Sequence, residues 1–220
     1  MVILFGQEVK RVNTVKYLGV TLDGYLTGNA HGVTVLHKAS SRLSFLYRKS
    51  GLLDFKSRAT LCMSLIQPYF DYCCSSWYSS LGSQLKNRLD AQQRKMARFV
   101  LGLDSRCSIS SSHLRKLGWL AVCDRVRYFK LLLAFRIRRG QAPAYLTDSF
   151  QFSSSVHSYN TRRSQTDYFI SKNDTASSVM LNSFVYTTKH EWNLLPSGIK
   201  DVSKLSVFKT KLREHLLRKY

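Results

Sequence analysis

The stretch LKNRLDAQQRKMARFVLGL, Leu85 to Leu103, decides the fold class. Its apolar residues Leu85, Leu89, Met96 and Val100 recur at three-and-four spacing, the period of a helix with one buried face. Lys86, Arg88, Arg94, Lys95 and Arg98 crowd the remainder, and Gly102 supplies a C-terminal stop. The pattern predicts a helix that starts near Ser83.

Upstream, the same period recurs. Leu36, Ala39, Leu43 and Leu46 line one face of a helix from about Val33, with Lys38, Arg42 and Lys49 off that face and Gly51 closing it. Asp54 reads as the N-cap of the next helix, which runs through ATLCMSLIQPYFDYCC and must kink or restart at Pro68. No Lys or Arg falls between Arg58 and Lys86, so this segment is expected at the centre of a helical bundle, its aromatics in the core. The first residues alternate instead. VILFG and VKRVNTVKYLGVTLDG predict a β-hairpin or three short strands, ended by Asp23-Gly24.

Downstream, a short helix is expected from His113 to Leu117 and a long one from Asp124 to Arg139, stopping at Gly140. The long helix holds Arg125 and Arg127 early and Arg136, Arg138 and Arg139 in its last turn, where the helix dipole favours cations. Residues 141–178 turn rich in Ser, Thr and Asn and nearly neutral, which predicts a loop-rich linker with a short strand such as DYFIS. Helices return with VMLNSFVYTTKHEW and LSVFKTKLREHLLRKY, where Phe208, Leu212 and Leu216 share a face.

Charge dominates the composition. The 220 residues hold 34 Lys+Arg against 13 Asp+Glu, a net +21. Residues 81–140 hold 14 of the bases and three of the acids. Such an excess draws polyanions through counterion release, and nucleic acid is the leading partner, ahead of a merely solvated surface or an anionic membrane. The hydrophobic content of 44% is that of a folded protein. The longest apolar run, Tyr128 to Phe135, is broken by Lys130 and falls short of the ~20 residues that span a bilayer. MVILFGQEVK lacks the pattern of a signal peptide, so an intracellular protein without membrane partners is expected.

Catalytic patterns are missing. The acids are scattered, with no DD, DxD or ExxE, and phosphoryl transfer with two metals needs paired carboxylates. Neither GxxxxGK[ST], GxGxxG nor GxSxG occurs. Five Cys without a CxxC argue against a disulfide framework or a zinc site of usual spacing. Cys107, His113 and Cys123 read as buried thiols and a capping or surface His. On the residues alone this is a basic helical binding module.

VKYLGVTLDG, Val15 to Gly24, resembles the primer-grip hairpin of LINE-type non-LTR retrotransposon reverse transcriptases. LIQPYFDYCCSSWY looks like that family's thumb helix, and LKNRLDAQQRKMARFVLGL is similar to the helix after it. LRKLGWLAVCDRVRYFKLLLAFRIRRGQAPAYLTD and EWNLLPSGIKDVSKLSVFKTKLREHLLRKY resemble later blocks, in the family's order. The resemblance implies the C-terminal region of an RNA-directed DNA polymerase, in which Mg²⁺ is held by an upstream Asp-Asp motif. Here MVILFGQ looks like the strand just after that motif, so this polypeptide is expected to lack catalysis. Tyr17, Leu18 and Gly19 fall on primer-grip positions; Gly19, without a Cβ, suits close backbone approach, and ordinary hairpin packing is the other reading of Tyr17 and Leu18. Lys86, Arg88, Arg94, Lys95, Arg98, Arg125, Arg127, Arg136, Arg138 and Arg139 are the expected contacts to RNA or DNA along a template-primer duplex.

The expectation is a mainly α protein: a β element over 1–30 at the end of the palm, a thumb-like basic bundle over 31–148, a linker over 149–178 and a C-terminal helical segment over 179–220. As a polymerase remnant it belongs in the nucleus or a cytoplasmic ribonucleoprotein and needs no cofactor of its own. A host-reused protein-interaction module and a decayed remnant without function are the alternatives.

Overall fold

Two hairpins open the chain in the computed structural model, which describes residues 2–9, 11–152, 168–170 and 178–218. β1 (Val2–Leu4) pairs antiparallel with β2 (Gln7–Val9), and β3 (Thr14–Tyr17) with β4 (Val20–Asp23). Each turn has two residues, both at positive φ: Phe5 and Gly6, then Leu18 and Gly19. Turns of that hand match the twist of the strands. The alternation is therefore satisfied by two hairpins rather than one hairpin or three strands.

Asp23 then redirects the chain. Its carboxylate accepts the backbone N–H groups of Tyr25 and Thr27 and the Thr27 hydroxyl. Burial works against its ionisation, but these bonds hold the carboxyl below its ordinary value. α1 (Asn29–Arg48) starts at Gly28, where φ is +70° and a Cβ would lie 2.7 Å from the Trp77 carbonyl oxygen. After a 3₁₀ turn at Ser50–Leu52 comes α2 (Phe55–Leu65), capped by Asp54, which accepts the Ser57 N–H at 2.9 Å. The helix breaks before Pro68, which sits in the first turn of α3 (Gln67–Asp71), and α4 (Cys74–Trp77) follows.

α5 (Ser83–Leu101) ends at Gly102 in the left-handed conformation. α6 (Ser111–Lys116) carries a capping box between Ser110 and His113, the capping role expected for that histidine. Cys107 and Cys123 are exposed rather than buried. α7 (Val122–Arg138) and α8 (Ala144–Thr147) follow. The DYFIS strand reduces to a bridge between Phe152 and Phe169 in the described residues; most of the expected linker lies outside them. α9 (Ser178–Leu181), α10 (Phe184–Asn193), α11 (Ser197–Lys200) and α12 (Leu205–Leu217) complete a mainly α protein.

Two apolar clusters hold it together, and α7 belongs to both. Leu36, Ala39 and Leu43 of α1 pack with Ile66, Phe70, Leu89, Met96 and the Val122–Val126 end of α7. Leu131, Ala134, Phe135 and Ile137, further along α7, pack with Trp192, Phe208, Leu212 and Leu216. Phe208 stacks on Phe135 with ring centroids 4.4 Å apart. Each such side chain, fully buried, stabilises the fold by about 2 kcal/mol. Phe70, Trp77 and Tyr78 lie in the core as expected, whereas Tyr72 is half exposed.

Candidate nucleic-acid interface

α1 and α5 lie side by side and run in the same direction. Gly32 rests against Leu85, the Ser40 hydroxyl donates to the Gln92 side chain at 3.1 Å, and the Tyr47 ring meets Phe99 edge-on at 4.9 Å. These contacts ascend both helices in step and close a seam between them. Outside the seam each helix presents an exposed stripe at helical spacing: His37, Ser41, Ser44 and Arg48 on α1, and Gln84, Arg88, Ala91 and Lys95 on α5. Helix α1 contains no acidic residue, and the single acid of α5, Asp90, is partly buried on another side. Burial raises the pKa of Asp90 above its ordinary value. The result is a carboxylate-free ridge with Arg48, Arg88 and Lys95 around small side chains, a shape and charge suited to a phosphate backbone.

The β3–β4 tip is held beside α3. Tyr72 donates its hydroxyl to the Leu18 carbonyl at 2.7 Å, and its ring would sit 3.1 Å from a Cβ at Gly19. Gly19 thus makes room for an aromatic ring of this chain. Tyr17 and Leu18 are 64% and 74% exposed, so packing within the hairpin does not account for them. The stem is tied to α1, where the Thr21 N–H donates to buried His31. Burial, with Lys38 adding to it, holds the His31 pKa below its ordinary value.

The ten basic residues singled out in the sequence divide. Arg88, Arg94 and Lys95 are exposed on α5, and Arg136 is exposed at the far end of α7. The other six do not simply face solvent: each has an acceptor within the protein. Asp71 receives a two-pronged ion pair from Arg125, 54 residues away in sequence. Arg127 binds Asp124 at 3.0 Å and lies 3.9 Å from Glu191. Arg98 donates to the Cys107 carbonyl, Arg138 to that of Lys200 and Arg139 to that of Val202. Lys86 donates to the Ser79 carbonyl and lies over the Tyr78 ring; burial lowers its pKa. Apart from Asp124, which pairs with Arg127 at i,i+3 spacing on the same helix, these partners are acceptors brought in by the fold, and residue spacing along one helix does not report them.

Two features escaped the local reading. Arg48 of α1 joins the α5 cations, with His37 on the same stripe; the signal was available in the absence of any acid from α1. Lys130, which in sequence only interrupts an apolar run, is buried and donates to the hydroxyls of Ser79 at 2.5 Å and Thr187 at 2.7 Å. Burial lowers the Lys130 pKa and raises that of nearby Glu191.

Among the described residues no three metal-binding side chains converge. The carboxylates of Asp71 and Asp124 are each held by an arginine. No helix among them is long and apolar enough to cross a membrane.

Fold and surface together define a basic, mainly helical protein with one acid-free helical ridge. Over 99 residues, 44% of the chain, it is 28% identical to a Drosophila melanogaster protein titled "Probable RNA-directed DNA polymerase from transposon X-element". That match spans 11% of the polymerase's length. No family model matches the chain, and no solved structure matches it. The chain is thus related in part to a retrotransposon RNA-directed DNA polymerase.

Proposed function

We propose that this chain is the primer-grip, thumb and C-terminal region of a LINE-type reverse transcriptase and binds the template-primer duplex without catalysing extension. The observation that carries the proposal is the acid-free α1–α5 ridge with Arg48, Arg88 and Lys95 exposed along it. Positional, sequence-blind contacts to phosphates need cations of this kind, unpaired and aligned. The exposed Tyr17–Leu18 tip, anchored by Tyr72, would meet the primer end. Residues 31–148 would follow the duplex, with 149–178 connecting them to the helical segment 179–220. The polymerase carboxylates and their Mg²⁺ would belong to the parent enzyme, and the complex to a nuclear or cytoplasmic ribonucleoprotein.

Fluorescence anisotropy with a labelled RNA–DNA template-primer tests this. Binding is expected at micromolar or lower concentration, with little sequence preference and an affinity that falls steeply with salt. No nucleotide should be added with Mg²⁺ and dNTPs present. Absence of binding at low salt, or templated extension by the purified chain, would overturn the proposal.

One observation favours a second reading, a protein-interaction module. Ile3, Phe5, Val15, Tyr17 and Leu18 leave large apolar side chains exposed on the two hairpins. A stable stoichiometric protein complex formed through the hairpins, with no affinity for nucleic acid, would establish it instead.

A further inference from the structure

A second surface differs in kind from the ridge. Between α4, α7, α8, α10 and α12 lies a groove of about 780 Å³, with Ser75 and Ser76 of α4 along one side. Its floor is apolar, from Phe129, Leu132 and Leu133 of α7, Leu146 of α8 and Phe184 of α10. Tyr145 stands in its wall, 72% exposed. Two exposed cations, Arg136 and Lys209, line the same groove from α7 and α12, and no acid pairs with either among the described residues. The only carboxylate in its lining, Asp71, is already neutralised by Arg125.

Its size is that of sites that enclose one flat organic group, within the roughly 300–1,000 Å³ of ligand pockets. Its chemistry asks for an occupant with a broad apolar face and a neighbouring negative charge. An unstacked nucleotide has both: a base with a π-face for Tyr145 and the apolar floor, and phosphates for Arg136 and Lys209. A paired duplex has neither face free, because its bases are stacked on one another. The ridge and the groove therefore suit different forms of nucleic acid.

We infer that the groove lined by Tyr145, Arg136 and Lys209 binds single-stranded nucleic acid by taking in an unstacked base. The inference rests on the proposal that the chain binds nucleic acid and adds a second site to it. An acidic amphipathic peptide is the competing occupant. The net charge of +21 and the exposed aromatic wall favour the nucleic acid.

The test uses the full chain, a labelled short oligoadenylate RNA, an abasic ribose-phosphate oligomer of the same length, and a duplex. Tyr145→Ala should weaken oligoadenylate binding about tenfold, the scale of one lost base–aromatic stack. The same variant should bind the duplex and the abasic oligomer as the wild type does. Arg136→Gln with Lys209→Gln should flatten the salt dependence of oligoadenylate binding by about 1.4, at roughly 0.7 per phosphate on a single strand. Unchanged oligoadenylate affinity in Tyr145→Ala would overturn the inference while leaving duplex binding standing. So would binding of an acidic Glu/Leu-rich peptide that Tyr145→Ala abolishes without affecting the RNA. A wild-type chain that binds neither RNA nor duplex would overturn the broader proposal as well.

Discussion

Helix α5 carries Lys86, Arg88, Arg94, Lys95 and Arg98; helix α7, counted with its C-cap Arg139, carries Arg125, Arg127, Lys130, Arg136 and Arg138. On α5, three of these stand in solvent and two of those three flank the seam with acid-free α1. On α7, all but Arg136 are committed to acceptors within the protein: Asp71, Asp124, Ser79, Thr187 and the carbonyls of Lys200 and Val202. The difference arises from position. α5 has one face against the bundle, whereas α7 passes between two apolar clusters, so its cations meet acceptors from α3, the turn after α4, α10, the end of α11 and the chain after it, besides Asp124 on α7 itself. A basic helix becomes a binding surface only where the fold brings no acceptor of its own within reach.

Substitutions can break this comparison, and the largest effect is expected on α7. Lys130→Ala removes the buried cation that donates to the hydroxyls of Ser79 and Thr187 and leaves Glu191 more poorly compensated. It should cost about 3 kcal/mol, read as a lower urea midpoint with an unchanged slope. Arg125→Gln should cost about 2 kcal/mol, because Asp71 keeps its partly buried charge and loses both prongs of its partner. On α5, Arg94→Gln should change stability by less than about 0.5 kcal/mol. Equal losses from the three changes would erase the distinction.

Titration sharpens it further. Burial raises the Glu191 pKa above its ordinary 4.5 in the folded chain. The protonated form is therefore favoured by folding, and this contribution is full below pH 4.5 and lost as pH rises through the raised folded value. The stability of the wild type minus that of Glu191→Gln should grow as pH falls across that window. His31 acts with the opposite sign. Its lowered pKa gives a contribution that is present above 6.5 and lost as pH falls through the lower folded value, as protonation displaces the Thr21 N–H. Replacing His31 by Gln should remove that acid-side loss, and no α5 cation should alter either profile.

Much of the architecture was legible because it is periodic. The α5 stripe, its stop at Gly102, the Asp54 cap, the break at Pro68 and the face shared by Phe208, Leu212 and Leu216 all lie within a few residues of their causes. What was not legible depends on residues far apart. Gln92 and Gln93 fill the gap in the α5 stripe and are buried, because Ser40 donates to the first and the second donates to the Leu120 carbonyl. Arg125 and Asp71 are separated by 54 residues, and nothing near either announces the other. The candidate site was half legible for the same reason: Arg88 and Lys95 follow from the helical period, and α1 is visibly free of acids, whereas the placing of Arg48 beside them follows from how α1 packs against α5. The second hairpin arose from a turn that places Leu18 at φ +44°, a conformation Leu rarely adopts.

The most direct measurement is the salt dependence of duplex binding in the variant Arg48→Glu/Arg88→Glu/Lys95→Glu, alongside Arg138→Gln/Arg139→Gln as the α7 counterpart. The account predicts that the α1–α5 variant keeps its far-UV circular dichroism and binds all sequences more weakly. Its log-log slope should be shallower by about 2.7, at roughly 0.9 per lost phosphate contact. The α7 variant should lose stability and keep the wild-type slope. A folded α1–α5 variant with an unaltered slope, while the α7 variant flattens it, would contradict the account and move the nucleic-acid surface to α7.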